Sequence, residues 1–128
     1  MPHLTVEHSA NLDGLADLDD LCRRLHDALV QSGLFELGAI RVRAIGAEHY
    51  AIADLLPQNA FAHLTLRMGA GRSMADRKRA GDLLFQTATV ALAPLFATPH
   101  FALTLEMVDM DPDLSWKKNA IHPRLRQG

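Results

Sequence analysis

Pro2-His3-Leu4-Thr5-Val6 returns, at a spacing of 60 residues, as Ala62-His63-Leu64-Thr65-Leu66. Leu4, Thr5 and Val6, like Leu64, Thr65 and Leu66, favour a strand. The two copies also lead into similar patterns. After the first comes a loop through Ser9-Ala10-Asn11 and Gly14, then a helix predicted from about Asp17 to Ser32. Leu18, Leu21, Cys22, Leu25 and Leu29 fall on one stripe at helical spacing. Asp17, Asp19 and Asp20 sit where the helix dipole favours negative charge, and Gly33 ends the run. Gly38 to Ile45 then alternates apolar residues with Arg41 and Arg43, which predicts a half-buried strand.

The second copy leads through Gly69-Ala70-Gly71-Arg72 to Ser73, which with Asp76 has the form of a capping box. Ala80, Leu83, Leu84, Thr87, Ala88, Ala91 and Leu95 predict the second helix, and Pro94 bends or ends it. Phe101 to Met107 is the last strand. The chain is therefore β-α-β written twice, over residues 2–56 and 61–109, with a C-terminal arm over 110–128. Helical connections suit parallel strands within each half. The expected architecture is one α/β (α+β) domain spanning residues 1–128: a four-stranded sheet with both helices on one face. The bare face then needs cover, and apolar residues on both faces of Phe101 to Met107 are read as pointing to an oligomer.

Composition narrows the function classes. The length of 128 residues suits one compact domain, and a formal charge of −2 exerts no whole-chain pull on nucleic acid or anionic lipid. No apolar run is long enough to span a bilayer, and the N-terminus lacks a secretory layout. The single cysteine, Cys22, excludes an internal disulfide and suits a reducing cytoplasm. Seven scattered histidines show no metal-ligand spacing, so no metal site is expected.

Chemistry is expected at the chain's start. If Met1 is removed, Pro2 carries a secondary amine held on a strand. The second half has Ala62 at the matching position, so the repeat offers one such amine per chain. Arg41 lies on the strand predicted beside it, and Arg72 lies at the glycine-rich start of a helix, where backbone N–H groups attract anions. Two guanidinium forks suit carboxylates, and their charge lowers the pKa of a nearby amine. Trp116, on the arm, could add an apolar wall. Arg43, Arg67 and Arg77-Lys78-Arg79 are read as exposed faces, and His3, His8 and His63 as packed or hydrogen-bonded. His49 and Tyr50 fall between the halves with no role assigned.

Met1-Pro2-His3, Ile40-Arg41-Val42-Arg43, Gly69-Ala70-Gly71-Arg72-Ser73 and Leu114-Ser115-Trp116-Lys117 together resemble the 5-carboxymethyl-2-hydroxymuconate isomerases of the tautomerase superfamily, nearly end to end. The resemblance implies a cofactor-free homotrimer with Pro2 as general base and sites near the subunit interfaces. By position, Arg41 and Arg72 match the family's carboxylate-binding arginines. Trp116 stands where close relatives have an aromatic residue, often Phe, which puts pocket size and substrate identity in question. The implied reaction moves a double bond in a 2-hydroxymuconate-type polycarboxylate, in bacterial catabolism of aromatic acids such as homoprotocatechuate. A hydratase or decarboxylase using protonated Pro2 as an acid, or a non-catalytic trimeric binding module, stays open as an alternative.

Overall fold

The computed structural model describes residues 1–127. Strand β1 (His3–Ser9) leads through a 3-10 turn (Ala10–Gly14) to helix α1 (Leu18–Gln31). A short 3-10 turn (Leu37–Ala39) precedes strand β2 (Arg41–Ala47). The second half runs strand β3 (Ala60–Gly69), helix α2 (Met74–Ala91), a 3-10 turn (Ala93–Ala97) and strand β4 (Phe101–Met110). Both β-α-β units form as the repeat predicts, with β1 parallel to β2 and β3 parallel to β4.

The halves join through an antiparallel pairing of β1 with β3, so the sheet order is β2-β1-β3-β4. The repeated stretches are thus direct neighbours, with Thr5 opposite Thr65, Leu4 opposite Leu66 and Val6 opposite Leu64. Because side chains alternate along a strand, this register puts Leu4, Val6, Leu64 and Leu66 on one face, all fully buried. Leu21, Leu25 and Leu29 of α1 and Ala80, Leu84 and Ala88 of α2 close over that face. Asp17 caps α1 rather than lying inside it: its side chain accepts from Asp20 N at 3.0 Å. Ser73 does the same for α2, accepting from Asp76 N at 3.1 Å. Such caps satisfy otherwise orphaned N–H groups and contribute about 1 kcal/mol each.

Two expectations need correcting. Phe101, Leu103, Leu105 and Met107 share one parity, and all pack on the core; the opposite face of β4 carries Ala102, Thr104 and Glu106, all exposed. An alternation of that kind has one apolar face, so β4 gives no argument for an oligomer. Nor are Arg77 and Arg79 merely solvated. Arg77 Nη1 pairs with Asp109 Oδ2 at 3.0 Å, and Arg79 Nη1 donates to Ser32 O at 2.9 Å, tying α2 to β4 and to the end of α1.

The arm holds an element with no apolar period to announce it, helix α3 (Ile121–Arg126). Arg126 pairs with Glu36 through two hydrogen bonds, one of them Nη2 to Oε1 at 2.6 Å. Asn119 Nδ2 donates to Gly38 O at 3.0 Å, and its Oδ1 accepts from the N–H groups of Ile121 and His122. These contacts fold the arm back over the segment that precedes β2.

Candidate active site

Pro2 sits at the N-terminal end of β1, its side chain fully buried, and its carbonyl accepts from Arg41 N at 3.2 Å. That bond continues the β1–β2 ladder and fixes the first residues of the chain against Arg41. The Arg41 guanidinium donates through Nη1 to Ala39 O at 2.7 Å and to Gly38 O at 3.5 Å. Its Nε and Nη2 have no protein acceptor among the described residues.

Arg72 follows Gly71, whose φ of +104° lies in the region that residues with a Cβ avoid. The turn there sends the Arg72 side chain back towards the end of α1. Its Nη2 donates to Leu34 O at 3.0 Å, its Nη1 to Gly69 O at 3.4 Å, and its guanidinium lies 4.6 Å from the centre of the Phe35 ring. The carbonyls and the ring face hold the fork in place without neutralising it.

The chain's first nitrogen lies in the field of these groups. Its pKa is held below the ordinary α-amino range by partial burial first, then by the positive charges of Lys117, Arg72 and Arg41. Beside it is a cavity of about 210 Å³, lined by Met1, His3, Gly69, Ala70, Trp116 and Lys117 among others. Met1 forms part of that wall, so its removal would extend the space towards Pro2. The cavity as it stands is smaller than the roughly 300–1,000 Å³ usual for small-molecule sites.

His3 lies on the open sheet face, opposite Arg41 on one side and Arg67 on the other. Arg43 Nη1 donates to its Nδ1 at 3.1 Å, and burial, then the Arg43 charge, lowers its pKa. His8 and His63 also have partners, as the sequence suggests. His8 Nδ1 lies 2.9 Å from Ser9 O, and His63 contacts Thr104 and Glu106.

The four residues singled out in the sequence meet this region in different ways. Pro2 and Arg41 are joined through the backbone, and Arg41 and Arg72 both act on the terminal nitrogen. Trp116 lines the cavity beside Met1, yet is 87% exposed in the single chain, so it walls one side only. A wider hollow of about 510 Å³ lies at the far end of the sheet, under residues 48–59, and takes in His49 and Tyr50. It contains no arginine or lysine and lies away from Pro2. Among the described residues no cluster of His, Cys, Asp and Glu could hold a metal, and no helix is long and apolar enough to cross a membrane.

Residues 2–125 match the family profile of 5-carboxymethyl-2-hydroxymuconate isomerase. The chain belongs to the 5-carboxymethyl-2-hydroxymuconate isomerase family. It is 36% identical to the 5-carboxymethyl-2-hydroxymuconate Delta-isomerase of Escherichia coli over 122 residues, 95% of this chain and 97% of that one. A crystal structure of a 5-carboxymethyl-2-hydroxymuconate isomerase from Deinococcus radiodurans R1 superposes with a TM-score of 0.91 at 39% identity, covering 98% of this chain and 94% of that one. A fused 4-OT symmetric trimer superposes with a TM-score of 0.66 at 16% identity, over 91% and 93% of the two chains. At that identity the likeness is one of fold, and the fold is tautomerase-like.

Within this isomerase-family chain, three parts of the site escape a reading of the sequence alone. Phe35 as the platform under Arg72 carries no motif. The Glu36–Arg126 clamp joins residues far apart in the chain. Lys117 is visible only as the neighbour of Trp116, and nothing local says that it comes near the first residue.

Proposed function

We propose that this protein is a cofactor-free isomerase acting on 5-carboxymethyl-2-hydroxymuconate, with the amine of Pro2, freed of Met1, as its general base. The reading is carried by the placement of Pro2 against Arg41, whose N–H donates to the Pro2 carbonyl at 3.2 Å. In the same region burial, then Lys117, Arg72 and Arg41, lower the basicity of the adjoining Met1 amine. An amine on Pro2, in the same field and with its basicity lowered in the same direction, can both take up and give back a proton, as a double-bond shift requires. The same cations suit an acidic substrate.

In the proposed reaction, neutral Pro2 removes the proton from the substrate's 2-hydroxyl. The electron pair of that O–H bond becomes the 2-oxo C=O, the diene electrons shift along the chain, and the protonated amine delivers the proton to the distal carbon. Atoms and charge balance without an added reagent. Arg41 and Arg72 hold carboxylates and stabilise the negative charge that builds on the oxygen in between. Trp116 supplies an apolar wall on one side of the pocket. By the same family reading, the reaction belongs to bacterial breakdown of aromatic acids in the cytoplasm, and the working form is a homotrimer.

The test is turnover of 5-carboxymethyl-2-hydroxymuconate by protein whose intact mass shows Met1 removed, beside protein that retains it. The processed form should be active and the retained form nearly inert, since an amide nitrogen has no basicity. Equal activity in both forms removes Pro2 from the mechanism. Light scattering should return three copies per particle.

A further inference from the structure

We infer that Lys117 is a specificity-determining residue of this site, holding a third carboxylate that Arg41 and Arg72 leave free, and so selecting a tricarboxylate over the matching dicarboxylate. The inference rests on the proposed function and deepens it.

Lys117 is exposed in the single chain, but the segment that carries it is held in place. It lines the cavity of about 210 Å³ together with Met1 and Trp116. The backbone around it is pinned on both sides. Upstream, Asp111 accepts from Asp113 N at 2.9 Å through its side chain and from Leu114 N at 3.1 Å through its carbonyl. Downstream, Asn119 bonds Gly38 O at 3.0 Å and caps α3, which Arg126 and Glu36 clamp in turn. An arm held at both ends presents the lysine at the cavity mouth at little ordering cost.

Charge supports the same reading. Lys117 has no carboxylate partner among the described residues, and no Asp or Glu lines the cavity. Of the cations felt by the first nitrogen, Lys117 ranks ahead of Arg72 and Arg41. Lys117 lines this acid-free cavity, while Arg72 and Arg41, outside its lining, act on the same first nitrogen. Three like charges so placed favour the entry of anionic groups. Muconate carries two carboxylates and the carboxymethyl branch adds a third, so the charges match one for one. The side chains match too. The two anchored guanidinium forks suit fixed, bidentate contacts, while an ammonium on a flexible stem suits a branch carboxylate at the mouth.

The test compares wild type, Lys117→Met and Lys117→Arg, all processed to Pro2, on 5-carboxymethyl-2-hydroxymuconate and on 2-hydroxymuconate. Loss of a cation also raises the basicity of the amine, but that effect is common to both substrates and cancels in their ratio. Lys117→Met should lower the triacid-to-diacid ratio of kcat/KM about tenfold, mainly through KM for the triacid, and Lys117→Arg should restore most of it. A ratio unchanged in Lys117→Met overturns the assignment. Calorimetry with tricarballylate and glutarate separates this from failure of the isomerase reading. If neither muconate is turned over yet wild type prefers tricarballylate and Lys117→Met does not, the site stands and the reaction is wrong. If wild type binds no tricarboxylate at all, the inference falls as well.

Discussion

Arg72 Nη2 donates to the carbonyl of Leu34 at 3.0 Å, across 38 positions of sequence. Leu34 opens a short segment, 34–39, on which the whole site leans. Phe35 stacks under Arg72, the carbonyls of Gly38 and Ala39 hold Arg41, Gly38 also takes Asn119, and Glu36 takes Arg126. Both guanidinium groups and the C-terminal arm are therefore referenced to one short stretch before β2.

Arg72→Lys keeps the charge but removes the fork and its stacking on Phe35. A charge-assisted bond to substrate is worth about 1.5–3 kcal/mol, so kcat/KM should fall by about 10- to 100-fold. The fold should be kept, because no core residue depends on this side chain. Steady-state kinetics alongside a thermal melt checks both parts, and full activity in Arg72→Lys would remove the bidentate role.

The Met1 amine has its pKa lowered by burial first and then by Lys117, Arg72 and Arg41. An amine on Pro2 should meet the same field and be unprotonated over a wider range than an ordinary α-amine. For a catalytic base, kcat/KM rises with pH through that pKa and levels off above it. Arg41→Gln deletes one of the cations, which raises the pKa and moves this acidic limb to higher pH. Each unit of movement corresponds to about 1.36 kcal/mol. A pH–rate profile whose acidic limb stays put, or moves down, contradicts the proposed electrostatics.

Glu36 has its carboxyl held below the usual range, chiefly by the hydrogen bond from Arg126. Its folded pKa is thus lower than its unfolded one. The stabilisation is fully present above the unfolded value and is lost as pH falls through the folded one. Below that point α3 should loosen. Trp116, the only tryptophan, reports it: its emission should change on acidification, and Glu36→Gln should show the loosened signal already at neutral pH. Identical acid titrations of wild type and variant would exclude the clamp.

Gly38 packs so closely against α3 that a Cβ there would lie 2.7 Å from His122 Nδ1 and 3.3 Å from His122 Cα. The side chain could swing aside, but the contact with the His122 backbone is relieved only if α3 shifts. Gly38→Ala should therefore displace the arm, expose Trp116 further and weaken substrate binding, while β1 to β4 keep their pairing. Amide exchange should quicken in residues 119–126 and stay slow in β1 and β3. Unchanged exchange in the arm would show that the contact is soft.

Much of the fold can be read directly from residues. Leu4-Thr5-Val6 and Leu64-Thr65-Leu66 show the duplication, the stripe from Leu21 to Leu29 shows the first helix, and Asp17 and Ser73 mark where the helices begin. β4 shows how such reading fails: Phe101, Leu103, Leu105 and Met107 look like a two-sided apolar strand until parity puts them on one face. The site is legible in part. Pro2, Arg41 and Arg72 stand out through their positions, whereas Lys117, Phe35 and Glu36 carry no local signature.

Helical and strand periods, caps and chain-start chemistry depend on residues a few positions apart, so the order of residues alone decided the double β-α-β and the candidate amine. The antiparallel meeting of β1 with β3, the return of α3 and the gathering of Arg41, Arg72 and Lys117 around one nitrogen came only with the folded chain. Those partners lie tens of residues apart, and no period relates them; they meet because burying Leu4, Val6, Leu64 and Leu66 on one face sets the β1–β3 register, while Asn119 and Arg126 tie the arm to Gly38 and Glu36.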